Sequence, residues 1–335
     1  MSGTRTIGIT RRQALGSAVF LFTARASYSQ PRPGPPPHQH GPKVFLDYDQ
    51  VELDAVYAQT VYAPNWEQVL ARQAANSKRV QARLGAPGRA AYGASGIERL
   101  DVYRARAGKT PALNAPLHVF IHGGAWRIGS AEQHAALAQP FVEAGAHVVI
   151  PDFAAVQDAG GSLLVMASQV RRAITWIYKN AVTFGGDRRR IYISGHSSGA
   201  HLAACALTTD WEKDFGLPSD LIKGALLISG IYDLKAPRLS SRREYVKFDD
   251  ETEETLSPQR RVDRIHTPLI VAYTRLDTPE FQRQSRDFAA ALRAAGKTVD
   301  IVVGERRNHF EYLDELESHS GKLARLALAQ MKLRR

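Results

Sequence analysis

Arg190-Ile191-Tyr192-Ile193-Ser194-Gly195-His196-Ser197-Ser198-Gly199-Ala200-His201-Leu202-Ala203-Ala204 passes from a β-branched run, through a glycine-flanked serine, into an alanine-rich helical pattern. It reads as strand, tight turn and helix. The turn carries G-x-S-x-G at residues 195–199. That pattern recurs by chance in many loops, but here a strand precedes it and a helix follows it. In that context glycines two residues either side of the serine let strand and helix approach closely while the serine stands clear of the sheet. Ser197 is therefore the candidate nucleophile.

Working outward, residues 117–121 form a fully apolar strand, and further strands are expected near 147–151, 190–194, 224–229, 268–274 and 299–303. Helices are expected near 131–144, 162–183, 198–209, 280–295 and 312–331. This alternation predicts an α/β fold whose mostly parallel sheet carries helices on both faces. Upstream, residues 97–103 alternate apolar and polar as a half-buried antiparallel strand does. Val69, Leu70, Ala74, Val80 and Leu84 mark one face of a helix over 66–84, stopped by Gly85 and Pro87. A polar, charge-dense segment at 233–262 interrupts the alternation. At the carboxyl ends of the strands, it reads as a small lid or as a surface loop.

His122-Gly123-Gly124-Ala125-Trp126 follows the strand at 117–121 directly. Paired glycines let the backbone turn N–H groups toward one point, so Gly123, Gly124 and Ala125, joined by Ser198 after the nucleophile, are the expected oxyanion hole. A phosphate cradle would need G-x-G-x-x-G or a Lys-Ser/Thr ending, and neither is present. A serine nucleophile needs a base, and the base an orienting carboxylate, in the chain order serine, acid, histidine. Asp277 follows the strand at 268–274 and His309 the strand at 299–303. Asp233 is the rival acid, one strand earlier. His196 and His201 read as structural, Glu280 as a first-turn helix acid, and Asp300 as an exposed strand residue. Trp126 and Phe310 flank these residues in sequence and are candidates for an aromatic wall of the substrate pocket, or for packing alone.

Taken together, Tyr57 through Trp66, His122 through Trp126, Gly195 through Leu202, Asp210-Trp211, Ser229 through Leu234, Asp277-Thr-Pro-Glu-Phe281 with Gln284-Ser285, and Asn308-His309-Phe310 resemble the arylformamidases, or kynurenine formamidases. The resemblance runs from about residue 57 to the carboxyl end. It implies an α/β-hydrolase fold, a triad of Ser197, Asp277 and His309, acyl-enzyme chemistry on a small acyl substrate, and no metal or organic cofactor. The glycine motifs are shared with the hormone-sensitive-lipase-like esterases, so a carboxylesterase acting on aryl, alkyl or plant-derived esters is the alternative. A catalytically silent binding module would lack a triad member, and none is missing.

The chain of 335 residues is 44% hydrophobic, enough for a sizeable core in one enzyme-sized domain, read here as residues 43–335. Its formal charge is +11, but Arg5, Arg11, Arg12 and Arg25 with no acid in the first 26 residues account for four of those charges. The rest are scattered, with no aromatic-interleaved basic motif, which excludes a nucleic-acid partner on composition. Cys205, the only cysteine, lies among alanines and reads as a buried small hydrophobe. From Gln30 to Pro42 the chain is proline-rich, and 27–42 reads as a stiff tether on which His38 and His40 stand solvated.

Residues 1–26 combine a basic start, a short apolar run from Ala14 to Ala24 and small residues at Ala24 and Ala26, the pattern of an export signal cleaved after Ala26. Arg11-Arg12 followed by Gln13-Ala14-Leu15 resembles the twin-arginine type, read by that export machinery. The apolar run is too short to span a bilayer, so the mature chain is expected in the periplasm with no membrane span. Replacing Arg11 and Arg12 together by lysine is expected to strand the precursor in the cytoplasm. Cell fractionation reads this directly, and unchanged periplasmic accumulation would remove the twin-arginine assignment.

Overall fold

Ala115–Ile121 is buried at every position, so helices must cover the sheet on both sides of it. The computed structural model describes residues 33–108 and 110–333, together with Met1 and Gly3. The export signal and the first residues of the tether lie outside these. Among the described residues, no helix is long and apolar enough to cross a membrane.

Eight strands form the sheet: β1 Gly88–Ala91, β2 Arg99–Tyr103, β3 Ala115–Ile121, β4 His147–Pro151, β5 Gly186–His196, β6 Ile222–Ile228, β7 Leu269–Leu276 and β8 Val299–Asn308. Their spatial order is β1-β2-β4-β3-β5-β6-β7-β8. β1 and β2 run antiparallel to their neighbours, while β4 through β8 pair in parallel. The helices are α1 Gln50–Tyr57, α2 Gln59–Tyr62, α3 Trp66–Leu84, α4 Ala138–Glu143, α5 Leu163–Asn180, α6 Ser198–Leu207, α7 Trp211–Phe215, α8 Lys235–Leu239, α9 Asp250–Thr255, α10 Pro279–Ala294, α11 Asp314–Glu317 and α12 Lys322–Gln330.

Alternation along the strands sorts the core into two layers, because successive side chains point to opposite faces. Leu117, Val119 and Ile121 of β3, with Ile191 and Ile193 of β5, meet α1, α5, α6 and α10. Phe120, with Val148 and Ile150 of β4, faces Phe141 of α4 and Leu323, Ala327 and Leu328 of α12.

Several expectations change. The helix expected over 312–331 is broken into a 3₁₀ turn, α11 and α12, because Ser318-His319-Ser320-Gly321 supports a turn better than a helix. Gly321 also passes so close to Glu315 that a Cβ would lie 2.0 Å from its carbonyl oxygen. The helix expected from 131 begins as a 3₁₀ turn, with α4 starting only two residues before Pro140, which has no N–H to give an earlier helical turn. β1 was not anticipated, its exposed Gly-Arg-Ala-Ala being too short and too weakly patterned. His38 does not stand free in solvent: its Nε2 lies 2.9 Å from Asp49 Oδ2.

Phe120 is fully buried between the sheet and the layer that includes α4. Phe120→Ala is expected to lower the unfolding free energy by about 3–5 kcal/mol through lost transfer energy and the cavity left behind. The measurement is the urea midpoint followed by circular dichroism, and a loss below about 1 kcal/mol would contradict this packing.

Candidate active site

Ser197 sits between the end of β5 and the start of α6 with φ +57° and ψ −126°, a conformation that costs an L-residue of order 1–3 kcal/mol. What holds it there is close packing. A Cβ on Gly199 would lie 2.2 Å from the Ile121 carbonyl oxygen and 2.4 Å from that of His122, so only glycine lets α6 start this near β3. The Ser197 N–H donates to Ile228 O at 2.8 Å, fixing the turn to β6 as well.

The loop after β3 carries three successive positive φ values, at Gly124 (+116°), Ala125 (+56°) and Trp126 (+64°). Among the described residues, the N–H groups of Gly124, Ala125 and Ser198 have no hydrogen-bond partner. Trp126 N–H instead donates to Ser198 Oγ at 3.1 Å, tying this loop to the first residue of α6. A concave row of free N–H groups beside a serine can receive a developing oxyanion.

His309 Nδ1 donates to Asp277 Oδ1 at 2.8 Å, and both side chains are almost fully buried. The other oxygen of Asp277 accepts from Ser229 Oγ at 2.7 Å and from Thr274 N at 2.9 Å. These contacts orient the carboxylate and, through it, the ring. Asp233 is elsewhere: it pairs with Arg260 near the surface. His196 Nε2 donates to the His309 carbonyl at 3.0 Å, and burial, with His309 beside it, holds His196 well below the usual histidine range and so neutral. His201, brought down to about 4 by burial, accepts from Trp126 Nε1 and donates to Leu256 O. Both histidines position backbone and side chains. Cys205 is buried, its thiol pushed up to about 12 by that burial.

Ser197, His309, Gly123, Gly124, Ala125 and Phe310 open on one cavity of about 490 Å³. That volume suits a small organic substrate. No direct hydrogen bond joins Ser197 Oγ to His309 Nε2 among the described residues; in acyl-transfer sites this contact tightens as substrate binds. Trp126, expected as a possible pocket wall, is core: it is 2% exposed, edge-on to His201, and absent from the cavity lining. Phe310 lines the cavity and packs on Trp66 of α3.

The remaining walls come from the amino-terminal arm and from the segment 233–262, read from the sequence as a lid or a surface loop. The arm α1–α3 holds the His309 loop: Asn308 Nδ2 donates to Asn65 Oδ1 at 2.7 Å, and Gln73 Nε2 donates to Phe310 O at 2.9 Å. Tyr57 OH donates to Glu280 Oε2 at 3.0 Å and accepts from Gln284 Nε2 at 3.2 Å, so Glu280, read as an ordinary helix-start acid, is fully buried and paired with Arg283. The segment 233–262 forms α8, α9 and two 3₁₀ turns, and brings Arg242 and Tyr245 to the cavity. Arg242 is 4% exposed and has no carboxylate partner among the described residues. It donates to Tyr57 O at 2.9 Å and Tyr245 OH at 3.1 Å, stacks on Trp126 and Tyr57, and leaves Nε without a partner. Arg127 stacks on Tyr245 beside it. Glu317 also lines the cavity, and burial and nearby Asp314 push its carboxyl up to about 8 against the pull of Arg72. The Arg242 and Arg127 guanidiniums thus face the cavity without a carboxylate bound to either among the described residues.

Comparison with known proteins agrees with this geometry. The family model described as BD-FAE matches residues 100–237. A kynurenine formamidase from Salmo salar is 35% identical over 247 residues, covering 72% of this chain and 80% of that protein. One from Danio rerio is 34% identical, covering 71% and 79%. Among solved structures, the Pyrobaculum calidifontis esterase superposes with a TM-score of 0.65 at 19% identity, covering 79% of this chain and 91% of that one.

Proposed function

The chain belongs to the kynurenine formamidase family, is a serine hydrolase of small esters or formamides with the α/β-hydrolase fold, and from that premise we propose that it cleaves aryl formamides bearing a carboxylate. In this reading His309 takes the Ser197 proton at Nε2 as Oγ attacks the formyl carbon. The N–H groups of Gly124, Ala125 and Ser198 receive the oxyanion, with Gly123 shaping their loop. Asp277 holds the imidazole and stabilises the imidazolium without taking its proton. His309 then protonates the departing amine, and water, deprotonated by the same histidine, releases formate from the acyl-serine.

The observation that carries the substrate reading is Arg242. Burying an unpaired guanidinium costs several kcal/mol, so a cavity that keeps one is suited to a ligand that supplies the missing anion. A neutral aryl or alkyl ester, the second reading, uses the same Ser197, Asp277 and His309 but leaves Arg242 without an anionic partner. The reading extends to export of the folded chain to the periplasm by the twin-arginine machinery, supported by Arg11-Arg12 and the small residues before Ser27.

Two experiments test this. On any hydrolysed substrate, Ser197→Ala and His309→Ala are each expected to cost about as much as the double change, on the order of 10⁶ in kcat, and Asp277→Asn about 10⁴, while Asp233→Asn leaves most activity. A larger loss from Asp233→Asn than from Asp277→Asn would move the acid to the other strand. For the substrate, a carboxylate-bearing aryl formamide is compared with its neutral carboxamide analogue and with a short ester. Arg242→Met should lower kcat/KM on the anionic formamide by about 10- to 150-fold, the worth of a hydrogen bond to a charged group (roughly 1.5–3 kcal/mol), and spare the neutral pair. Equal losses on all three would give Arg242 a structural role only.

A further inference from the structure

At the opposite end of α1 from Tyr57, three side chains turn donor atoms toward one point, and a fourth stands beside one of them. His38 Nε2 lies 2.9 Å from Asp49 Oδ2, and His40 Nδ1 lies 3.7 Å from that oxygen and 3.4 Å from Glu52 Oε1. The donor atoms of His38, His40 and Asp49 all fall within 4.8 Å of one another. A tetrahedral zinc ion with bonds of about 2.0–2.1 Å has ligand atoms about 3.3 Å apart, so each histidine already stands within about half an ångström of that spacing from Asp49 Oδ2, and closing on an ion draws the two rings together.

We infer that His38, His40 and Asp49, with Glu52 beside His40, form a binding site for a divalent first-row transition metal ion, zinc above all.

The contacts behind the four donors are those a metal site requires. Asp49 caps α1, with Oδ1 taking the Glu52 N–H at 2.9 Å; Glu52 returns the bond, with Oε2 taking the Asp49 N–H at 3.0 Å. Each carboxylate thus spends one oxygen on the helix start and aims the other at the histidines. Gly41 N–H adds a bond to Asp49 Oδ2 at 2.9 Å. His38 Nδ1 donates to Pro36 O at 3.2 Å, the arrangement in which a ring nitrogen held by a carbonyl leaves its other nitrogen free to ligate. Without an ion the 2.9 Å contact of Nε2 with Oδ2 is a hydrogen bond, and a bound cation takes the place of its proton. Two imidazoles with two carboxylates suit zinc better than calcium or magnesium, which prefer oxygen alone. The site is at the surface, with His40 mostly exposed, so an ion can enter. When bound, the ion lashes residues 38–41 of the proline-rich segment onto the first turn of α1. The site is separate from the cavity and does not depend on the activity proposed above.

The test uses the untagged full chain, stripped with chelator and titrated with zinc chloride by isothermal calorimetry. Wild type is expected to show a saturable site of one ion per chain. His38→Ala/His40→Ala should weaken it more than about a hundredfold, beyond the 10- to 100-fold typical of losing an outer contact. Asp49→Asn, which caps a helix as well as aspartate does, should weaken it while leaving the circular dichroism unchanged. Zinc should also slow trypsin cleavage after Lys43 in wild type and not in the double variant. Absence of saturable binding by wild type, or the same binding by the double variant, would overturn the site.

Discussion

At Gly199 the first turn of α6 lies against the carbonyls of Ile121 and His122, nearer than any side chain would allow. That approach sets the rest of the site. It forces the chain through a strained serine at 197, brings the N–H of Ser198 beside the loop after β3, and lets Ser198 Oγ accept from Trp126 N so that loop and helix move as one. The strain is tolerated because the flanking strand is parallel-paired on both sides and buried, leaving the turn no cheaper conformation. A serine held this way is already positioned for attack on a bound carbonyl.

Around this fixed point the chain assembles walls from its ends and from its insertion. The His309 loop is gripped by Asn65 and Gln73 from the amino-terminal arm, while Arg242 from the segment between β6 and β7 reaches across to the carbonyl of Tyr57. Tyr57 is the joint between them, since its ring carries the Arg242 guanidinium and its hydroxyl bonds to Glu280 of α10. Arg242 thus enters the cavity from a segment outside the α/β alternation, where sequence can vary without disturbing Ser197 and its loop.

The parts of this architecture legible in the sequence are those with a short-range signature. β3 and β5 announced themselves as apolar runs, α6 by its alanines, and Ser197, Asp277 and His309 by lying just past strand ends in the order the fold requires. What stayed hidden depends on contacts across hundreds of residues. Nothing local to Asn308 or Gln73 shows that they will meet, and Arg242 sits in Ser-Ser-Arg-Arg-Glu, a run whose polarity reads as exposed surface although the folded chain buries that one arginine. Trp126 misled in the opposite sense: its place beside the glycine loop suggested the pocket, but a positive φ turns its ring into the core. His38 and His40 looked solvated because the acids that meet them stand on a helix whose cap pattern, Asp-x-x-Glu, was not read as a partner.

The bond between Tyr57 and Glu280 spans 223 residues, and Thr278 Oγ1 donates to Val56 O across 222. During synthesis, therefore, α1 has nothing to dock against until the segment after β6 and α10 have followed it, although α3 can already meet the turn at Glu132–Leu137. Contacts of such sequence separation are slow to form, since loop closure precedes the gain they bring. Until then Tyr57 and Leu53 remain uncovered, and the carboxylate of Glu280, once made, keeps only Arg283 as company. Completion of this pocket is thus a late event in the life of the chain, and a ribosome-bound fragment ending before α10 would hold Ser197 and its loop without the contacts that fix α1 and Tyr57.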